Sequence, residues 1–293
     1  MTLPEVIAVF GPTASVKTGV AEALADRLGT ELVSADAMQV YRGLPILTNQ
    51  STNPARLVAI WPLSHEASVG EFEQLAHDAI DELVASHGVA VVAGGTGLYL
   101  RAALTDLELP PPPAVGARER WEAAYEADRG ATYAELEQRD PTAAAAVHPN
   151  DRRRVVRALE LTEAGRSLAP TAGRLWSNDF RRPTLVVGLA VPADVLAQRI
   201  EERTHEMFRR GVVEEVRAAL AAGPVSTTAE KAMGMREIAS LSTDAEPELA
   251  ARTRRYASYQ RKWMRRIPGI VMIDAERPPA EVADAILEVA RAR

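Results

Sequence analysis

The stretch Gly11-Pro12-Thr13-Ala14-Ser15-Val16-Lys17-Thr18 has the residue types and spacing of a loop that cradles phosphate. An apolar run from Val6 to Phe10 precedes it and reads as a short buried strand. A helix-forming segment follows and ends near Gly29. In that context backbone N–H groups at the helix N-terminus point at an anion, and Lys17 adds a mobile positive charge. The Thr18 hydroxyl is placed to reach a magnesium ion. One residue departs from the pattern: Val16 stands where a glycine is expected before the lysine. Its Cβ can crowd the phosphate, and a β-branched residue resists positive φ.

A second strand, Glu31 to Ser34, delivers Asp36 at its C-terminal end. Ligands of open α/β sheets sit outside the carboxyl ends of the strands, so Asp36 is expected beside the phosphate loop. Read alone, Asp36 is either a strand-end cap or a general base. A third buried strand, Val89 to Ala93, runs into Gly94-Gly95-Thr96-Gly97. ATP-hydrolysing loop proteins commonly end this strand in an acidic metal partner. Glycines and a threonine there weigh against a motor or NTPase.

The elements that must hold these residues alternate strand and helix, which implies a three-layer α/β core with a parallel sheet. A helix is expected over 69–87, with Phe72, Leu75, Ala79 and Leu83 facing the core. Four prolines, Pro110 to Pro113, end any regular element and mark a boundary. From Ala114 to Ser177 the pattern is helical throughout; strand character returns over Thr184–Ala190. The expected layout is a core of 1–112 and 183–293 interrupted by a helical subdomain, 113–182. Long helices are expected over 193–222 and 246–266, then a strand at Ile270–Ile273 and a closing helix.

Charge is unevenly spread along the 293 residues. Residues 1–150 hold 9 basic and 20 acidic side chains, net −11; residues 151–293 hold 25 and 20, net +5, which together give the overall −6. That asymmetry implies a basic face built from the second half. Arg153 and Arg157 lie one turn apart on a helix that Asn150 or Asp151 can cap. Tyr256, Tyr259 and Trp263 interleave with Arg254-Arg255, Arg261-Lys262 and Arg265-Arg266, the composition of a face on which bases stack. The structural alternative is an ordinary salt-bridged helix surface over core aromatics.

Other classes are disfavoured. No apolar run is long enough to span a membrane, and the N-terminus lacks the basic start of a signal peptide. The absence of cysteine rules out disulfides and thiolate zinc sites and fits the cytosol. The five histidines are scattered without metal-ligand spacing.

Taken in order, GPTASVKT (11–18), SADAMQVYRG (34–43), SVGEF (68–72), AGGTGLYLRA (93–102), HPNDRRRVVRALE (148–160), AMGMRE (232–237) and TRRYASYQRKW (253–263) resemble the bacterial tRNA dimethylallyltransferase family over nearly the whole chain. The resemblance implies a P-loop NTPase-like core that binds the pyrophosphate of dimethylallyl diphosphate rather than ATP, with Mg²⁺ near Thr18. It implies an inserted helical domain that grips the anticodon stem-loop of tRNA, and a cytoplasmic monomer with no membrane partner. By the same resemblance Asp36 is the candidate general base for N6 of the adenine 3′ of the anticodon, position 37. Thr96 positions reacting groups, and Lys17, Thr18 and Arg203 hold pyrophosphate together with loop residues Gly11 to Val16. Gln39 is the candidate reader of the target base, with Arg153, Arg157, Arg255 and Gln260 on RNA. The chain departs from the family pattern at Val16, Leu47, Asn49, Gln50, Ala55, Met235 and Tyr259.

Competing readings are a small-molecule kinase of the same fold, a prenyltransferase acting on free adenylate, and a non-enzymatic RNA-binding module. The first explains neither the helical insertion nor the glycine-ended strand. The second has little use for the basic insertion, and the third leaves Asp36 and the loop idle.

Overall fold

The computed structural model describes residues 3–107, 109, 113–168, 177–240 and 244–293. Strands β1 (Val6–Phe10), β2 (Leu32–Ser34), β3 (Ala90–Gly94), β4 (Thr184–Ala190) and β5 (Val271–Asp274) form one parallel sheet in the order β2-β3-β1-β4-β5. Every residue of β1 is buried, as a parallel strand covered on both faces requires. Phe10 pairs with Gly94 on one side and Gly188 on the other; β1 and β3 end level, and β4 runs on to Ala190. The loop leaving β1 therefore opens on the crevice at the carboxyl ends of the sheet.

Helices α1 (Lys17–Leu28) and α12 (Pro279–Ala292) cover one face, where Val20, Leu24 and Ile286 pack with Ile7, Val9 and Val187. Alternate β1 residues point the other way. Helices α2 (Val69–His87) and α3 (Gly97–Leu104) pack there on β3 and on each other. This is the three-layer arrangement expected of the sequence. The Ser68 side chain caps α2 by accepting from Glu71 N at 3.2 Å, and Gly88 ends the helix at φ 76. Its buried stripe is Phe72, Ala76, Ala79, Ile80 and Leu83; Leu75, expected in the core, is half-buried.

The remaining helices of this layer system are α8 (Ala193–Arg209), α9 (Val212–Ala221), α10 (Met235–Ala239) and α11 (Ala245–Met264). The single helix expected over 193–222 is two helices. Gly211 adopts φ 88, a left-handed conformation that stops α8 and lets α9 turn back. Val212 and Val216 then join Leu44, Leu47, Met207 and Leu249 in a satellite core under the 38–50 connection. Glu215 holds that connection by accepting from Ile46 N and Leu47 N, both at 2.7 Å.

The chain divides into two compact units, 1–106 with 175–293, and 107–174. The second contains α4 (Ala117–Ala127), α5 (Arg129–Arg139), α6 (Pro141–Ala146) and α7 (Arg152–Glu163). Asp128, Asp140 and Asp151 cap α5, α6 and α7 in turn, each accepting from a backbone amide three residues on. Tyr125, Leu136, Val155 and Leu159 are central to its own small core. The expected boundaries, 113 and 182, differ from those of the unit. Arg181 and Arg182 belong to the first unit because they pair with Asp81, and Arg182 also with Glu5 beside β1. Of the proline run, Pro110 to Pro112 lie outside the described residues.

Candidate active site

The loop after β1 folds back tightly. Ser15 N donates to Pro12 O at 3.2 Å, and a Cβ on Gly11 would lie 2.4 Å from Ser15 Oγ. Ala14 and Val16 both take left-handed backbone, at φ 64 and φ 56. Such turns aim successive amides at one point, which is how a chain builds an anion nest. Val16 is the residue from which α1 starts, so the sequence departure falls on the one loop position that carries both a β-branched side chain and positive φ.

Four side chains meet over this loop. Burial pushes the Lys17 ammonium below its ordinary value; the Asp36 carboxylate opposes that shift and the Arg203 guanidinium adds to it. Arg203, from α8, is lowered by burial too, with Asp36 again opposing, and it donates to Thr13 Oγ1. Buried donors of this cavity lining, Ser15 Oγ and Arg203 Nε among them, have no hydrogen-bond partner. A bound phosphate oxygen would satisfy both, and the cost of leaving buried donors unpaired argues that the loop is shaped for one.

Asp36 follows β2 and accepts from Met38 N through Oδ1 at 3.0 Å. It is thus a strand-end cap, and it also lines a cavity of about 1230 Å³ together with Lys17 and Arg203. Thr96 sits beside it: Ala37 N reaches Thr96 Oγ1 at 3.5 Å, and the Tyr256 hydroxyl lies 3.5 Å from the same atom. Burial pushes the Tyr256 phenol up to about 12, with the nearby Asp36 charge contributing, so it stays protonated across neutral pH. Met38, Leu47, Met207, Met233 and Leu249 give the cavity lining a sulfur-rich apolar part beside the charges.

The glycines ending β3 have a steric cause. A Cβ on Gly94 would meet Ala35 O at 2.3 Å, one on Gly95 would meet Gln260 Nε2 at 2.5 Å, and one on Gly97 would strike the Trp263 ring at 2.2 Å. The position where hydrolytic relatives of this loop place an acid is filled by backbone and by α11. Among the described residues no group of three or more His, Cys, Asp or Glu is arranged to hold a metal. No helix among them is long and apolar enough to cross a membrane.

Several residues expected on RNA also have partners within the protein. Gln260 is buried; it accepts from Thr13 N and donates to Gly95 O, both at 2.8 Å, so it clamps the phosphate loop to the end of β3. Gln39 accepts from Ser34 Oγ at 2.9 Å and donates to Thr48 O and Asn49 O, which commits its amide to the 48–49 turn. Arg157 pairs at 2.9 Å with Glu160, whose side chain is fully buried. Arg153 on α7 is exposed, and Arg255 is exposed at the cavity wall. The sequence reading missed Arg199, one turn before Arg203 on α8, which lines the same cavity. The i, i+4 spacing of the two arginines was the available signal. Tyr256, read from the sequence together with Tyr259 and Trp263, has its hydroxyl in the cavity beside Thr96.

The chain as a whole is similar to known proteins. The chain is 39% identical over 307 residues to a tRNA dimethylallyltransferase of Kineococcus radiotolerans, covering 97% of this chain and 95% of that protein. It is 38% identical to one of Salinispora arenicola, covering 97% and 86%. A tRNA isopentenylpyrophosphate transferase from Bacillus halodurans superposes with TM-score 0.69 at 30% identity, over 98% of this chain and 96% of that one. A eukaryotic dimethylallyltransferase solved in the course of acting on tRNA gives TM-score 0.79 at 26% identity, over 92% and 73%. The family model described as IPP transferase matches residues 39–267, and the chain belongs to that family.

Proposed function

We propose that this chain transfers a dimethylallyl group from dimethylallyl diphosphate to N6 of the adenine 3′ of the anticodon, position 37, in tRNA, releasing diphosphate. The observation that carries the reading is the meeting of Asp36, Lys17 and Arg203 in one cavity whose lining is otherwise partly apolar. In this reading the diphosphate sits on the loop 11–18, against Lys17, Ser15 Oγ and Arg203. As the allylic C–O bond breaks, negative charge grows on the leaving oxygen, and cations already in place stabilise it. The amine of adenine is a weak nucleophile, and Asp36 takes its proton as the new C–N bond forms. Thr96, held between Ala37 N and the protonated Tyr256, orients the groups at the junction.

The adenine has to leave its stack to reach the cavity, at a cost of a few kcal/mol that is smaller in a single-stranded loop. The Thr18 hydroxyl, on the loop that would carry the diphosphate and in the same cavity as Asp36, would hold Mg²⁺. When bound, it offsets leaving-group charge. The helical unit 107–174, with exposed Arg153, supplies part of the anticodon-stem contact, and the enzyme works as a cytoplasmic monomer.

Incubating the protein with labelled dimethylallyl diphosphate and either an anticodon stem-loop or AMP tests this. Label transfer to the stem-loop alone is the expected result. Transfer to AMP would favour the free-nucleotide reading, and ATP turnover without label transfer would favour a kinase.

A further inference from the structure

The exposed side of α11 is built in a way the chemistry above does not use. Tyr259 is 54% exposed, one of few large apolar or aromatic side chains left open. Its ring lies 6.4 Å from that of Tyr256 at an interplanar angle of 25°, and 6.5 Å from Trp263 at 64°. Trp263 is itself seated against Gly97, where no Cβ could fit. The Tyr259 ring is therefore braced on two sides and open on a third. Arg255 and Lys262 stand four residues before and three after it, on the same face of the helix and both exposed. Neither forms an ion pair among the described residues, whereas Arg252 and Arg254 of the same helix do. Arg255 and Tyr256 line the cavity that holds Asp36, so the strip begins at the cavity wall.

A cation, an open aromatic ring and a second cation along one helix face match single-stranded nucleic acid: phosphates take the cations and a base takes the ring. We infer that Tyr259 is the platform on which the nucleotide next to the target adenine stacks, with Arg255 and Lys262 on the flanking phosphates. The inference rests on the tRNA reading and adds to it a binding residue and a mechanism for holding the loop open. A base lying on Tyr259 offsets part of the stacking lost when the adenine swings inward, so the ring contributes to RNA affinity and not to bond breaking.

The test uses the full chain and an anticodon stem-loop carrying 2-aminopurine beside the target adenine. Stacking on Tyr259 quenches its fluorescence in the complex with wild-type protein. Tyr259→Ala should abolish the quench and raise the KM for RNA by about 5- to 100-fold, the worth of one base–aromatic stack. The KM for dimethylallyl diphosphate and kcat at saturating RNA should hold, and Tyr259→Phe should keep both quench and KM. An unchanged RNA KM in Tyr259→Ala would overturn the inference, as would equal damage from Tyr259→Phe or a parallel rise in the diphosphate KM. A wild-type protein that quenches the probe without transferring prenyl groups would refute the enzymatic reading and leave the stacking intact. Full prenylation by Tyr259→Ala at wild-type KM would do the reverse.

Discussion

At the scale of single residues, Val16 is where the loop works against itself. Its φ of 56 is a conformation natural to glycine, and a non-glycine residue held there costs about 1–3 kcal/mol. The strain persists because α1 must start at this point with its amides facing the nest. Val16→Gly should lower the KM for dimethylallyl diphosphate, measured by initial rates at saturating RNA. A KM that stays or rises would mean that the Val16 side chain, which packs on the core beside α1, contributes more than its backbone costs. Both the motif and the strained position were legible in the sequence, since residue type alone flags a valine in a glycine slot. Roles that depend on what a side chain touches were not. Gln39 and Gln260 were expected on RNA; each has hydrogen-bond partners within the protein, and nothing in residue spacing reveals such partners.

Between elements, the central device is the junction of the phosphate loop, β3 and α11. Gln260 bridges a loop amide and a strand-end carbonyl that lie far apart in sequence, and Gly95 is a glycine because the amide of Gln260 occupies the space of its Cβ. Gln260→Ala should leave the buried Gly95 carbonyl unpaired, at about 1–3 kcal/mol, and free the half-buried Thr13 amide. The expected outcome is a lower melting temperature with a raised diphosphate KM, read by thermal denaturation and steady-state kinetics. A loss of RNA affinity alone would return Gln260 to the RNA-contact role. Strand positions came out well from sequence because buried parallel strands are short apolar runs bounded by glycine or proline; β4 falls on Thr184–Ala190 as expected. The break between α8 and α9 did not, because Gly211 can lie within a helical pattern, and only its left-handed backbone ends the helix.

For the molecule as a whole, the imbalance of charge between the two halves has a mixed origin. Arg152, Arg154 and Arg157 of α7 all pair with acids of their own helical unit. Arg181, Arg182 and Arg254 pair with acids of the first unit. The excess of positive charge therefore overstates the basic face, and Arg153 differs from Arg157 in kind. Arg153→Gln should weaken RNA binding and reduce its salt dependence by about one phosphate contact, with no change in melting. Arg157→Gln should instead destabilise the helical unit, by about 1–3 kcal/mol, because Glu160 is buried and loses one of its two guanidinium partners. Equal salt slopes for the wild type and Arg153→Gln would exclude Arg153 from the contact.

Prenylation in this reading turns on one proton transfer, from the adenine amine to Asp36, with the diphosphate held against Lys17 and Arg203. Single-turnover prenylation of an anticodon stem-loop by Asp36→Asn, at saturating diphosphate and RNA, measures it directly. Loss of a general base predicts a rate lower by about 10²- to 10⁴-fold with RNA and diphosphate affinities preserved. A variant that prenylates at the wild-type rate would contradict the assignment and leave Asp36 as no more than the cap that receives Met38 N.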